Sequence, residues 1–176
     1  AVAAVEALLG AKPLVHDIIA EGFATVTAPA RLELVRSGPP IVVDTCHNVH
    51  GTRATLAGVR EAYDFTPLIA VVGMMADKDV EGVLALLAEE VTTIICTRVA
   101  STDRGLPADE LGELAEEAFG AERVHVRESL PDALELAVTL ADEAGAGAGI
   151  LVAGSVILAG EARALLVRND DEEDQR

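Results

Sequence analysis

Aromatic residues are nearly missing: 176 residues hold no tryptophan, one tyrosine and three phenylalanines. Since 51% of the chain is apolar, the core has to be built from Ala, Val, Leu and Ile. Lysine is almost as scarce, with Lys12 and Lys78 alone, and 30 acids against 13 Lys and Arg leave a formal charge of −17. Such a field repels nucleic acid and anionic membranes, so neither is expected as a partner. The charge suits either plain solubility or a salt-rich surrounding that screens the self-repulsion. Two cysteines, Cys46 and Cys96, make no disulfide framework, and a reduced, cytoplasmic setting is expected. No apolar run approaches the roughly 18 residues of a membrane span, and no signal peptide is visible. The phosphate loop Gly-x-x-x-x-Gly-Lys-Ser/Thr occurs nowhere, so the chain cannot cradle a triphosphate by that device. The residues flanking Ser155 do not fit a Gly-x-Ser-x-Gly nucleophile elbow.

What is present is a chain long enough for one domain, or one domain with a short appendage. Residues 1–25 read as two short helices broken at Gly10 to Pro13. Ala1 already lies inside a helical pattern, so residues 1–28 read as the helical end of a preceding domain or linker in a longer polypeptide. From residue 40 to residue 167 strand and helix patterns alternate. Ile41–Asp44, Leu68–Gly73, Thr92–Thr97, Arg123–Arg127 and Ile150–Ala153 read as strands, and Arg31–Val35 as an edge strand before the turn Gly38-Pro39-Pro40. The helices between them carry apolar stripes: Leu56, Val59 and Tyr63; Val80, Val83, Leu84, Leu87 and Val91; Leu111, Leu114, Ala115 and Ala118; and Leu130, Ala133, Leu134, Ala137, Val138 and Ala141. Pro107 falls in the first turn of the third of these, and Ser129 with Asp132 reads as an N-cap with an acid at N3. The acidic residues 169–176 are expected to form a disordered tail. This order predicts a doubly wound, Rossmann-like α/β domain over residues 29–168, its sheet mostly parallel with an antiparallel edge strand.

Right-handed crossovers bring all the strand C-terminal ends to one edge, where open α/β sheets bind ligands. Asp44 to Asn48, Gly73 to Asp79, Thr97 to Arg104 and Gly154-Ser155 all fall on that edge. The most informative of these is Asp44-Thr45-Cys46-His47-Asn48. Asp44 suits ribose hydroxyls or a cation, and His47 an anion beside a helix start; equally, Asp44 and Asn48 suit helix capping alone. Asp44, Cys46, His47 and His50 have acceptable zinc-ligand chemistry. Four ligands within seven residues of strand and tight turn do not readily wrap one ion, so no metal site is expected. Lys78 either faces a phosphate or carboxylate or is a solvated counter-charge beside a capping Asp77 or Asp79. Ser155 either offers a hydroxyl at a helix start or is a plain N-cap.

Taken in order, Pro29-Ala30-Arg31-Leu32-Glu33, Asp44-Thr45-Cys46-His47-Asn48, Ala76-Asp77-Lys78-Asp79, Ser129-Leu130-Pro131-Asp132-Ala133-Leu134 and Gly154-Ser155 resemble a known domain. It is the C-terminal domain of the folylpolyglutamate synthase/dihydrofolate synthase family, within the Mur ligase superfamily. The resemblance implies an ATP- and magnesium-dependent ligase that joins L-glutamate to a pteroate or folate carboxylate through an acyl phosphate. It also implies a partner N-terminal ATPase domain on the same polypeptide, carrying the phosphate loop and the magnesium ligands, so that this chain alone is inactive. By the same resemblance Arg31 meets the ATP phosphates and Asp44 the ribose or base side. His47, as a catalytic residue, and Ser155 contact the glutamate or the reacting phosphoryl region, Asn48 supports the loop, and Lys78 is a further candidate. The family's loop reads Asp-Gly-Ala-His-Asn-Pro; here Thr45, Cys46 and Val49 replace the glycine, alanine and proline. Thr45 does not take positive φ cheaply, so a different loop backbone is expected. Two other readings remain: a cell-wall precursor amino-acid ligase domain, and a non-catalytic doubly wound module that binds a ligand and regulates a partner.

Overall fold

β-branched and aliphatic runs of four or five residues with no charged interruption have to be covered on both faces, and four such runs form the interior of this domain. In the computed structural model, which describes residues 1–10 and 12–173 (side chains to residue 167), the elements follow the expected alternation. After α1 (Val2–Leu8) and α2 (His16–Ala24) come β1 (Glu33–Ser37), β2 (Pro40–Val43), α3 (Val49–Ala62), β3 (Leu68–Val72), α4 (Val80–Glu90) and β4 (Thr93–Thr97). The second half runs α5 (Ala108–Phe119), β5 (Val124–Arg127), α6 (Leu130–Ala144), β6 (Gly149–Ala153) and α7 (Val156–Glu173). The six strands form one sheet in the order β1-β2-β6-β3-β4-β5. Only the β1–β2 pair is antiparallel.

Side chains alternate across each strand and so feed two cores. Val42, Ala70, Val72, Ile94, Cys96 and Leu151 face Leu56 and Val59 of α3, Leu84 and Leu87 of α4, and Leu111 of α5. Ile41, Val43, Ile69, Val71, Ile95, Ile150 and Val152 face Leu130, Ala137 and Ala141 of α6 and Leu158 and Ala162 of α7. Each buried Leu, Ile or Val contributes roughly 1.5–3 kcal/mol relative to exposure. Helices on both faces make the sheet doubly wound. Because β6 lies between β2 and β3 while α3 and α7 leave on opposite faces, the chain direction reverses there. That reversal opens a crevice at the C-terminal ends of β2, β6 and β3.

Local signals fix several helix ends. Asn48, Asp79 and Ser129 each accept a backbone N–H three residues on, from Gly51, Gly82 and Asp132. Pro107 is the residue preceding α5. Three expectations need correction. The edge strand begins at Glu33 rather than Arg31, because Ala30 and Leu32 have positive φ (55° and 48°) and cannot extend the ladder. The buried face of α5 is Ala108, Leu111, Gly112, Ala115 and Phe119; Ala118 is exposed and Leu114 half-buried, since Gly112 lets Val126 approach where a larger residue would collide. Helix α7 continues to Glu173, through most of the expected tail, while residues 174–176 lie outside the described residues.

Candidate functional site

The crevice is assembled from loop backbones before any side chain is considered. The Asp44 N–H donates to Val152 O at 2.9 Å, the Gly154 N–H to Cys46 O at 2.9 Å, and the Gly73 N–H to Ala153 O at 3.4 Å. The ends of β2, β6 and β3 are thus tied side by side. Gly154 is required there: its φ is +106°, and a Cβ would stand 2.8 Å from Gly73 O. Gly82 likewise leaves room for Val49, drawing the starts of α3 and α4 together. The β3–α4 and β4–α5 loops form one unit through Ala76 N–H to Arg104 O at 3.1 Å and Leu106 N–H to Met74 O at 2.8 Å. Across them Arg104 Nη2 donates to both Asp77 oxygens, at 3.0 and 3.1 Å.

Asp44, at the end of β2, is 5% exposed. Its Oδ1 accepts from the Cys46 N–H and the Thr55 hydroxyl, each at 2.8 Å, and its Oδ2 from the Leu32 N–H at 2.9 Å. The carboxylate therefore organises three segments, and it also lines a cleft of about 290 Å³ with Arg31, Leu32 and Thr55. Thr55, eleven residues along on α3, is a site residue that the sequence does not signal. Thr45 is absent from the positive-φ residues, so the loop does run without the left-handed residue a glycine would permit.

Arg31 is exposed at the mouth of that cleft. Its guanidinium enters no ion pair among the described residues. It is flanked by two non-glycine residues in the left-handed region, each costing about 1–2 kcal/mol. The surrounding polar groups hold that shape: Thr45 N–H donates to Ala30 O at 3.0 Å, Arg31 N–H to Ala28 O at 3.1 Å, and Ala30 N–H to Glu33 Oε2 at 2.6 Å.

His47 is half-buried, with Nδ1 3.0 Å from Thr45 O. A carbonyl only accepts, so Nδ1 carries the proton in that contact and Nε2 remains for a ligand. Asn48 caps α3 and is otherwise exposed. Lys78 Nζ lies 3.6 Å from Asp77 Oδ2, while Asp79 is the residue that caps α4. Ser155 is 2% exposed and its Oγ accepts the Ile157 N–H at 3.1 Å, the N-cap arrangement, with no open hydroxyl in this conformation. The structure thus brings the Asp44 loop, Arg31 and Gly154-Ser155 together, but exposes only Arg31, His47 and Asn48 among them. No three His, Cys, Asp or Glu side chains converge to hold a metal among the described residues.

A larger cleft of about 510 Å³ lies on the α6/α7 face of the same edge, lined by Arg98, Ser101, Ser129, Glu161 and Leu165. Part of its wall is a clamp in which Glu161 accepts from the Ser101 N–H and hydroxyl.

The profile of the Mur ligase glutamate ligase domain matches residues 30–156. The dihydrofolate synthase/folylpolyglutamate synthase of Mycobacterium tuberculosis is 38% identical over 182 residues, covering 96% of this chain and 37% of that protein. The Escherichia coli K12 protein of the same name is 30% identical over 98 residues, 56% of this chain and 23% of its own length. Among solved structures, M. tuberculosis folylpolyglutamate synthase complexed with ADP and AMPPCP superposes with a TM-score of 0.87 at 39% identity, covering 92% of this chain and 37% of that one. The Yersinia pestis bifunctional folylpolyglutamate synthase/dihydrofolate synthase with AMPPNP and manganese gives 0.75 at 26%, covering 88% and 35%. The chain therefore spans a little over a third of the length of the M. tuberculosis relative.

Proposed function

Because this chain belongs to the Mur ligase glutamate ligase domain family, we propose that it is the nucleotide- and glutamate-facing domain of a folate-type amide ligase. In this reading a cytoplasmic ATP-dependent enzyme joins L-glutamate to dihydropteroate or a reduced folate through an acyl phosphate. The chain acts with an N-terminal ATPase domain of the same polypeptide. The observation that carries the proposal is the exposed Arg31, in no ion pair among the described residues, held beside Asp44 at the mouth of a cleft. A planar fork of donors suits phosphate oxygens. Asp44 shapes the cleft toward the ribose or base side, although most of its hydrogen-bonding capacity is used internally.

His47 is assigned to the reacting region, where its Nε2 contacts the incoming glutamate or the phosphoryl group. Asn48 fixes the start of α3 beneath it, and Lys78 adds a cation from the neighbouring loop. Ser155 acts by capping α7 rather than by touching substrate. Magnesium, bound with ATP, would neutralise phosphate charge; its ligands are assigned to the N-terminal half. Closure of the two halves would exclude water, which otherwise hydrolyses an acyl phosphate. Folate-acting names on the similar proteins favour this reading over a cell-wall ligase.

The test has two steps. The chain alone shows no ATPase or ligase activity, and turnover of ATP by it would end the proposal. In the complete ligase, His47→Ala lowers kcat by about 100-fold or more with an unchanged unfolding midpoint. Ligation at the original rate would remove His47 from the site.

A further inference from the structure

Two ordinary residues in the left-handed region on either side of an exposed arginine require an explanation, because glycine would adopt that shape without strain. Part of the explanation lies next door. Leu32 is held by Asp44, a residue already assigned to the site. Ala30 is held by Glu33, whose Oε2 accepts the Ala30 N–H at 2.6 Å. Glu33 is in turn gripped by Arg163 of α7, with Nε 3.1 Å from Oε1 and 2.9 Å from Oε2. Arg163 is 130 residues away in sequence, on the helix that Ser155 caps.

We infer that Glu33 and Arg163 are positioning residues that hold Arg31 in its phosphate-facing pose and link that pose to the seating of α7. The inference rests on the reading of Arg31 as an ATP contact. A half-exposed ion pair of this kind adds little to global stability. Its two oxygens are nevertheless committed to a strained N–H and to a guanidinium from another element, an arrangement that specifies the shape of one loop. Burial works to raise the Glu33 carboxyl, but the Ala30 N–H and the Arg163 guanidinium outweigh it and hold the group below its ordinary range. Glu33 is therefore a charged acceptor throughout neutral pH. The chain of contacts Arg163–Glu33–Ala30 thus runs from α7 to the residue adjoining Arg31.

Steady-state kinetics in the complete ligase carrying this chain test the inference. Glu33→Ala raises KM for ATP about tenfold, the factor that corresponds to releasing one such strained residue. It leaves kcat within about twofold, and KM for glutamate and folate unchanged. Arg163→Met gives the same pattern to a smaller degree, and serves if Glu33→Ala folds poorly. Adding Ala30→Gly to Glu33→Ala restores KM for ATP, because glycine takes φ near +55° without the carboxylate. Loss of packing alone would not be rescued in that way. If Arg31→Ala leaves KM for ATP unchanged, the reading of Arg31 falls and this inference falls with it. If Arg31→Ala raises KM but Glu33→Ala and Arg163→Met do not, or Ala30→Gly fails to rescue, only the positioning role is overturned.

Discussion

Single residues at the ends of these strands divide into groups turned outward and groups committed to the protein. The two thiols belong wholly to the second. Burial pushes Cys96 from an ordinary 9.0 up to about 12. Burial also raises Cys46, and the negative charge of Asp44 adds to it. The native thiols keep their protons where the unfolded chain has begun to lose them, so stability is intact below pH 9 and falls as pH rises through 9 toward 12. Denaturant midpoints taken between pH 7.5 and 10.5 should show that decline, and Cys96→Ala should flatten it. Iodoacetamide at neutral pH should leave both thiols intact until the chain is unfolded; rapid native modification would refute the burial. The same inward turn explains what the sequence can and cannot reveal about the site. The caps at Asn48, Asp79 and Ser129 are legible because donor and acceptor lie three residues apart. The burial of Asp44 and Ser155 is not, since a polar residue ending a strand reads the same whether it faces solvent or a neighbouring loop. The left-handed pair at Ala30 and Leu32 is invisible for a stronger reason: neither residue type signals positive φ, and one part of its cause lies on α7.

Elements were legible where their period was pure. The four buried strands and the stripes of α4 and α6 follow from aliphatic runs and helical spacing. The start of β1 was not, because Arg31 and Leu32 suit a strand by composition while the positive φ of Ala30 and Leu32 keeps that stretch out of the ladder. Helices α1 and α2 are the opposite case, clear helices that bury none of their residues among the described residues, and Leu8 remains 86% exposed. Deleting residues 1–27 should therefore shift unfolding by no more than about 0.5 kcal/mol, and should reduce binding of an apolar-surface dye such as ANS. A loss of several kcal/mol would mean that these two helices support the sheet after all.

At the scale of the whole molecule, the acid excess strains the fold through self-repulsion, a charge of −17 on one small domain. Screening shortens from a length of about 10 Å at 0.1 M salt to about 3 Å at 1 M. Raising sodium chloride from 0.05 to 1 M should lift the melting temperature by several degrees, with most of the gain below about 0.5 M. A flat or falling midpoint would show that the charges are spread too widely to matter.

The position of β6 has a further consequence, for biosynthesis. Of the six strands in this sheet, the last in chain order pairs with β2 on one side and β3 on the other. Until residues 149–153 leave the ribosome, the nascent chain holds two partial sheets with open inner edges, a state prone to mispairing. A product truncated before that strand has no route to the native sheet. The fold itself thus makes the joining of its two halves wait on one strand, and a chain cut before it presents two unpaired edges.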